Sequence, residues 1–396
     1  MIKKDSIVIL GMARTPMGRF QGVLKDVSAP VLGSFAIRAA LERSGVLAEN
    51  VDEVLMGCVL PAGMGQAPAR QASLGAGIPV AADCTTVNKM CGSGMKTTML
   101  AHDLLLAETN EIMVAGGMES MTNTPYILQK ARSGQRLGHG QMTDHMFLDG
   151  LEDAFDKGTL MGVFAERTAK KYGFSREAQD EFAIRSLTRA KKAIEDGSFK
   201  NEVTPVSYKN RKEETLVELD EQPLNTNIDK IPNLRPAFEK NGTVTAANSS
   251  SISDGAAALV MMRESTAKKS GFKPIARFLG HSSFAQAPEW FTTAPVGAIK
   301  GVLKTVDWNV DDVELFEINE AFAVVTMAAM NDLDLPAEKV NVHGGACALG
   351  HPVGASGTRI LVTLISALQK YGKTRGVASL CIGGGEATAM AVEVLS

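Results

Sequence analysis

Apolar residues recur along this chain as short runs, each followed by a longer stretch of helical spacing. Ile7-Val8-Ile9-Leu10 predicts a strand near the beginning. Ala29-Pro30 opens a helical segment running to Gly45, with proline where the first helical turn tolerates it and glycine as the stop. Val51-Asp52-Glu53-Val54-Leu55 follows as a strand. The same order returns far downstream. Ala294-Pro295 opens a second such helix, and Val310-Asp311-Asp312-Val313-Glu314-Leu315-Phe316 supplies the strand after it.

A second pair of segments strengthens the impression of duplication. Cys91-Gly92-Ser93-Gly94 leads into a helix and then a strand over 112–115, closed by Gly116-Gly117-Met118-Glu119. Gly354-Ala355-Ser356-Gly357 leads into another, followed by a strand over 377–381 and Gly383-Gly384-Gly385-Glu386. Strands alternating with helices of this length predict an α/β unit, present twice, with a largely parallel sheet.

Between the halves, over 122–250, the texture changes. Turn residues accumulate through Gly134, Gly138, Gly140 and Gly150. An amphipathic helix follows from Ser175, with Ala183, Leu187, Ala190 and Ile194 on one face and Gly197 as its stop. Lys209-Asn210-Arg211-Lys212 reads as a solvated basic loop or as a contact for phosphates. An insertion this long is more than a connector, and a substrate-binding lobe is the reading it supports.

At 396 residues the chain is too long for one core, so two or more lobes are expected. A net charge of −3 offers nothing to nucleic acid or to an anionic membrane. No apolar run reaches the ~20 residues of a membrane span, and neither end carries a recognisable address, so a cytoplasmic location is expected. The 5 cysteines (58, 84, 91, 347 and 381) form no CxxC pair and suggest no disulfide framework. Cys58 and Cys84, in apolar or small-residue contexts, are most simply core thiols.

Cys91 is the candidate for chemistry. Its turn places a thiol over the N-terminal end of a helix, where the dipole and free N–H groups favour thiolate, although a buried structural thiol is the alternative. The flanking glycines leave room for a substrate carbonyl to approach backbone N–H groups. His351 precedes Pro352 and so projects from a loop. His343, Cys347 and His351 are four apart, but Gly344, Gly345, Gly350 and Pro352 exclude a continuous helix, and no metal site is expected there. Cys381 ends an apolar strand and opens the glycine turn. It is a core residue or a second reactive thiol. Asn319, in Glu317-Ile318-Asn319-Glu320-Ala321-Phe322, sits at a strand-to-helix junction, where an N-cap is the plain explanation.

Taken together, Asn88-Lys89-Met90-Cys91-Gly92-Ser93-Gly94, Asn319-Glu320-Ala321-Phe322, Gly350-His351-Pro352-Val353-Gly354 and Cys381-Ile382-Gly383-Gly384-Gly385-Glu386 resemble the thiolase family, from the first strand to the last. The resemblance implies a duplicated α/β fold, two βαβαβαββ halves in five layers (α-β-α-β-α) with an inserted loop domain. The expected boundaries are 1–121 for the first half, completed by about 251–273, then 122–250 for the loop domain and 274–396 for the second half.

It further implies reversible condensation of two acetyl-CoA to acetoacetyl-CoA and coenzyme A, by a ping-pong route through an acetylated Cys91. The alternative is a broader-range 3-ketoacyl-CoA thiolase acting in cleavage. Cys91 is the implied nucleophile, His351 its base, Cys381 the acid/base at the α-carbon, and Asn319 the holder of a water that helps stabilise the enolate. Gly383 would serve the oxyanion beside the Cys91 N–H, and Ser250, Phe238, Met161 and Phe291 would line the acyl and pantetheine site. No metal and no separate cofactor is implied, coenzyme A being part of the substrate. Acyl-CoA is the implied partner, and a homotetramer, joined by a loop over 134–149, the implied assembly. Four positions depart from the common pattern: His343 replaces asparagine, Leu160 histidine, Leu224 an arginine, and Phe291 a methionine near the acyl end. A decarboxylating ketosynthase is disfavoured by Cys381, a non-catalytic carrier by the intact Cys91, His351 and Cys381, and a nucleotide-binding dehydrogenase by the lack of G-x-G-x-x-G after an early strand.

Overall fold

The computed structural model describes residues 5–210 and 213–395, so Arg211 and Lys212 of the basic run lie outside the described residues. Hydrogen bonding joins the main strands into one ten-stranded sheet. In the first half the order is Ile7–Arg14, Ser253–Arg263, Ile112–Ser120, Glu53–Gly57 and Asp83–Val87. In the second half it is Ala276–Ala285, Glu386–Val394, Arg375–Ile382 and Leu315–Ile318. The two orders match strand for strand. The counterpart of the Asp83–Val87 edge has shrunk to one bridge between Phe316 and Val340. The halves meet where Ile7 pairs with Phe278 and Ile9 with Ala276.

Two expectations need correction. The strand foreseen over 310–316 begins at Leu315, because Val310–Asp312 forms a short 3-10 turn capped by Asn309. The sheet is also mixed rather than largely parallel. Glu53–Gly57 runs parallel to both its neighbours, and Leu315–Ile318 parallel to Arg375–Ile382. The other pairings in each half are antiparallel. The reason is local: Arg375–Ile382 turns into Glu386–Val394 through three glycines, too few residues for the crossover that parallel neighbours need.

Three apolar clusters give the layering. Helix Ala29–Ser44 covers one face of the first half, through Leu32, Ala36, Ile37 and Ala40. Helix Ala294–Val306 covers the matching face of the second half, through Ala298, Ile299 and Val302. Between the half-sheets lie helices Ser93–Leu106 and Ser356–Lys370, which bring Met95, Met99, Ile360, Leu361 and Leu364 into a common core. The layers thus run α-β-α-β-α. The inner helices are buried nearly all round, their polar side chains included, and even Arg359 is fully enclosed.

The segment between Ile112–Ser120 and Ser253–Arg263 carries helices Met161–Tyr172 and Arg176–Glu195 and the hairpin of Val206–Asn210 with Glu213–Val217. Ser175 caps the second helix by accepting from the Ala178 N–H, and Ala183, Leu187 and Ala190 are buried as the pattern predicted. Among the described residues no helix is long and apolar enough to cross a membrane.

Candidate active site

Both inner helices start at the same end of the molecule, and their N-terminal turns pack against each other. A Cβ at Gly94 would lie 2.9 Å from Thr358 N and 3.0 Å from Gly354 O, and a Cβ at Gly357 only 2.2 Å from Met95 N. Gly92 is needed for another reason: a Cβ there would lie 2.4 Å from Ile382 Cδ1. The glycines around Cys91 therefore serve contact between the halves, a role the sequence reading did not assign to them.

Cys91 sits half-buried in this seam, after Met90, whose φ of +47° bends the chain through the left-handed region. Its turn is held by Ser93, whose hydroxyl donates to Met90 O at 2.6 Å and accepts from the Lys89 N–H at 2.9 Å. Lys89 pairs with Glu386 just beyond the glycine turn of the other half. Desolvation pushes the Cys91 thiol from 9.0 to about 11, while the N–H groups of Gly383 and Cys91 itself pull the other way. The helix end thus does not yield a resting thiolate, because burial outweighs the dipole.

Cys381 lies fully buried at the end of Arg375–Ile382. Burial, then the nearby Cys91, pushes its thiol well above the ordinary range. It belongs to an apolar cluster with Phe164, Phe291 and Phe322, joined by Met161 and Phe238. Phe291 meets Phe164 and Phe322 edge-on at 6.3 and 6.5 Å, and Phe238 meets Phe322 at 6.0 Å. Met161 Sδ is 3.5 Å from where a Gly383 Cβ would stand, so the methionine lies over the glycine turn.

His351 is buried, and its backbone N–H donates to Ser251 O at 3.1 Å. Its Nδ1 lies 2.5 Å from Ser356 Oγ, and that hydroxyl donates to Pro352 O at 3.0 Å. With its proton committed to the carbonyl, Ser356 accepts from Nδ1–H, and Nε2 keeps its lone pair. Nε2 is buried with no partner among the described residues. Burial, then the Arg359 charge, lowers the imidazole to about 3, so the ring is neutral and able to accept a proton. Asn319 is fully buried; its Nδ2 lies 3.5 Å from His351 Nδ1, a close approach of two donors rather than a hydrogen bond, while Arg359 donates to its Oδ1 at 3.4 Å. The N-cap reading of Asn319 fails, since helix Ala323–Asp332 takes Phe322 as its N-cap. Ser250 is tied in through its N–H, which donates to Ala321 O at 2.9 Å.

Ser356, Arg359 and Glu119 escaped the sequence reading. Glu119 is enclosed and accepts from the N–H groups of Val59 and Gly354, both at 2.9 Å, and of Leu60 at 3.2 Å. It fastens the loop after Glu53–Gly57 to the turn that follows His351. Burial raises it to about 7. Its signal was the motif Gly116-Gly117-Met118-Glu119, read only as a strand end.

Of the departures, Phe291 belongs to this cluster and Leu160 caps the helix that starts at Met161 beside it, while His343 and Leu224 fall outside. His343 is buried between Phe199 and Tyr371, at ring distances of 5.7 and 5.6 Å, and neither nitrogen has a hydrogen-bond partner among the described residues. Cys347 is buried and donates to Glu320 O at 3.7 Å. Among the described residues, the one group of three metal-capable side chains that converges is His102, Asp103 and His281, elsewhere in the molecule. Leu224 is exposed on helix Glu221–Asn225. Near it a groove of about 230 Å³ is lined in part by Asn225, Lys230, Ile231, Leu234, Ala246 and Ala247.

Comparison with known proteins gives one answer. The profile of "Thiolase, N-terminal domain" matches residues 7–265, and that of "Thiolase, C-terminal domain" residues 272–394. The chain is 47% identical over 393 residues to an acetyl-CoA acetyltransferase of Thiocystis violacea, covering 99% of this chain and 100% of that protein. It is 48% identical over 391 residues to one of Escherichia coli K12, covering 98% and 99%. Among solved structures, the Bacillus anthracis acetyl-CoA acetyltransferase superposes with a TM-score of 0.96 at 41% identity, covering 99% of both chains. The Acat5 thiolase of Ascaris suum in complex with coenzyme A gives 0.93 at 40%, covering 98% of this chain and 100% of that one. With two thiols from opposite halves meeting at a glycine turn, and both family profiles matching in order, the chain belongs to the thiolase family of acyltransferases.

Proposed function

We infer that this thiolase is an acetyl-CoA acetyltransferase, condensing two acetyl-CoA to acetoacetyl-CoA and coenzyme A in a reversible ping-pong reaction. The reading is supported by the meeting of Cys91 with Cys381 and the Gly383 N–H, and by a buried, neutral His351 whose Nε2 has no partner among the described residues. In the first half-reaction Nε2 takes the Cys91 proton as sulfur attacks the thioester carbonyl. The N–H groups of Cys91 and Gly383 receive the oxyanion. Collapse breaks the carbon–sulfur bond to coenzyme A, and the proton on His351 goes to the leaving thiolate. Because the Cys91 thiol is raised and the imidazole lowered, thiolate forms only as the carbonyl carbon accepts it.

In the second half-reaction Cys381 passes its thiol proton to the neutral His351 and, as thiolate, removes an α-proton from another acetyl-CoA, whose enolate oxygen Asn319 and the now protonated His351 support. The carbanion attacks the acetyl carbon, the Cys91 sulfur leaves and takes the proton from His351, and Cys381 keeps the α-proton, so every group returns to its starting state. Phe238, Met161 and Phe291 wall the acyl end, and Ser250 contacts pantetheine. The groove at Lys230 and Ala246 would take the nucleotide end. The same architecture supports a homotetramer joined through the exposed stretch around Leu137 and Met142, and a cytoplasmic role in acyl-CoA and lipid metabolism.

The test is intact-protein mass after mixing with acetyl-CoA. A single acetyl group on Cys91 is expected, lost in Cys91→Ser. Cys381→Ser should still acquire the acetyl group but fail to exchange the α-protons of acetyl-CoA with deuterium. No adduct and no release of coenzyme A overturns the reading.

A further inference from the structure

At the far end of helix Ser93–Leu106, about 15 Å from its first residue at 1.5 Å per residue, a second cluster has no part in the chemistry above. His102 Nδ1 lies 3.0 Å from Asp103 Oδ1, and His281 Nε2 lies 2.8 Å from the same oxygen. The two imidazoles meet edge to face, with centroids 5.2 Å apart and planes at 86°. All three donor atoms fall within 4.8 Å of one another. His102 is nearly buried and His281 mostly so, while the Asp103 side chain is 54% exposed and leaves a way in from solvent.

The geometry points to a binding site for one divalent transition-metal ion of the zinc type, held by His102 Nδ1, Asp103 Oδ1 and His281 Nε2. Two imidazoles and one carboxylate suit zinc, cobalt or nickel, and are a poor set for magnesium or calcium, which take oxygen ligands. Around a tetrahedral ion with bonds of 2.0–2.1 Å, donor atoms stand about 3.3 Å apart, so the two short contacts need to open by only a few tenths of an ångström. Each imidazole offers its lone pair by carrying its proton on the other ring nitrogen. The fourth position faces solvent beside Asp103 and would hold water.

The position says what such an ion would do. Helix Ser93–Leu106 belongs to the first half, and strand Ala276–Ala285, which carries His281, opens the second. An ion here clasps the halves together at the end opposite the cysteines, so its effect falls on stability and not on the reacting atoms. Binding to the folded chain alone raises its stability by mass action.

Titration of the full chain with Co²⁺ tests the site. One ion should bind with visible d–d absorption and no thiolate-to-cobalt charge-transfer band in the near ultraviolet, and Zn²⁺ should displace it. Zn²⁺ should also raise the thermal midpoint. Asp103→Asn and His281→Gln should each lose the spectrum and the shift, while metal-free acetoacetyl-CoA thiolysis stays within twofold of the unmodified chain. Asp103→Asn, at an exposed side chain, keeps the test valid if His281→Gln folds poorly, as circular dichroism would show. Unchanged cobalt binding in Asp103→Asn, a charge-transfer band reporting cysteine ligands, or no binding by the unmodified chain overturns the proposal and leaves a carboxylate bridging two histidines.

Discussion

Ser356 Oγ stands 2.5 Å from His351 Nδ1 while donating its own proton to the Pro352 carbonyl. This relay decides which imidazole nitrogen is basic. Ser356→Ala removes the acceptor, so the ring samples the tautomer with Nε2 protonated. Thiolysis kcat should fall by roughly tenfold to a hundredfold, less than the 10²–10⁴ at stake when a general base is removed outright. KM should move little. Unchanged kcat with a normal thermal midpoint would show that Ser356 does not set the tautomer.

Cys91 should behave as a protected thiol. Burial raises it to about 11, so below that pH each added unit increases the thiolate fraction about tenfold. The rate of Cys91 alkylation by iodoacetamide, followed by peptide mass, should climb steadily from pH 7 to 10. Prior acetyl-CoA should block it. A plateau below pH 8 would mean a resting thiolate.

Phe291 limits the acyl chain in the proposed reaction. It is buried against Phe164 and Phe322 in the cluster that holds Cys381. A well-packed wall resists extra methylenes at about 1–3 kcal/mol, so acetoacetyl-CoA should be preferred to longer 3-ketoacyl-CoAs by about tenfold or more in kcat/KM. Phe291→Leu should narrow that preference while sparing most of the stability that Phe291→Ala would lose, about 3–5 kcal/mol for a buried ring. Equal rates on acetoacetyl-CoA and 3-ketodecanoyl-CoA in the unmodified enzyme would favour the broad-range thiolase.

His343 makes the fold sensitive to acid. Burial, then the Lys370 charge, lower its imidazole from 6.5 to about 4, against an opposing pull from Asp196 and with a smaller lowering from Arg14. The unfolded chain therefore binds this proton first, and the stability His343 permits is intact above pH 6.5 and lost as pH falls toward 4. The loss amounts to about 3 kcal/mol at 1.36 kcal/mol per unit. His343→Asn should flatten the part of the urea-unfolding slope that falls with pH between 6.5 and 4, where His351 titrates in the same sense and the raised carboxyls of Glu119 and Asp254 in the opposite one. An identical slope in the variant would mean that His343 does not titrate as the fold dictates.

How much was legible in the sequence follows from what each feature depends on. The duplication was legible because hydrophobic period, prolines at helix starts and glycines at turns are local properties, and both copies carry them. Cys91, His351 and Cys381 stood out because each sits in a glycine- or proline-marked turn, and Asn319 because it stands at a strand-to-helix junction. Strand direction was misread because it depends on which segments become neighbours: Ser253–Arg263 returns after a long insertion to pair antiparallel with Ile112–Ser120.

Only the tertiary structure decided the electrostatics. The dipole argument for a Cys91 thiolate was sound as local physics, yet desolvation by burial in the folded chain outweighs it and the N–H groups of Gly383 and Cys91. Ser356 and Arg359 share a helix with nothing in its pattern to mark them, and they matter because folding aims them at His351 and Asn319. His102 and His281 are far apart in the chain, and Asp103 reads as an ordinary helix carboxylate until the strand is laid beside it. Spacing reports what one element presents; burial and convergence belong to elements that meet only in the folded chain.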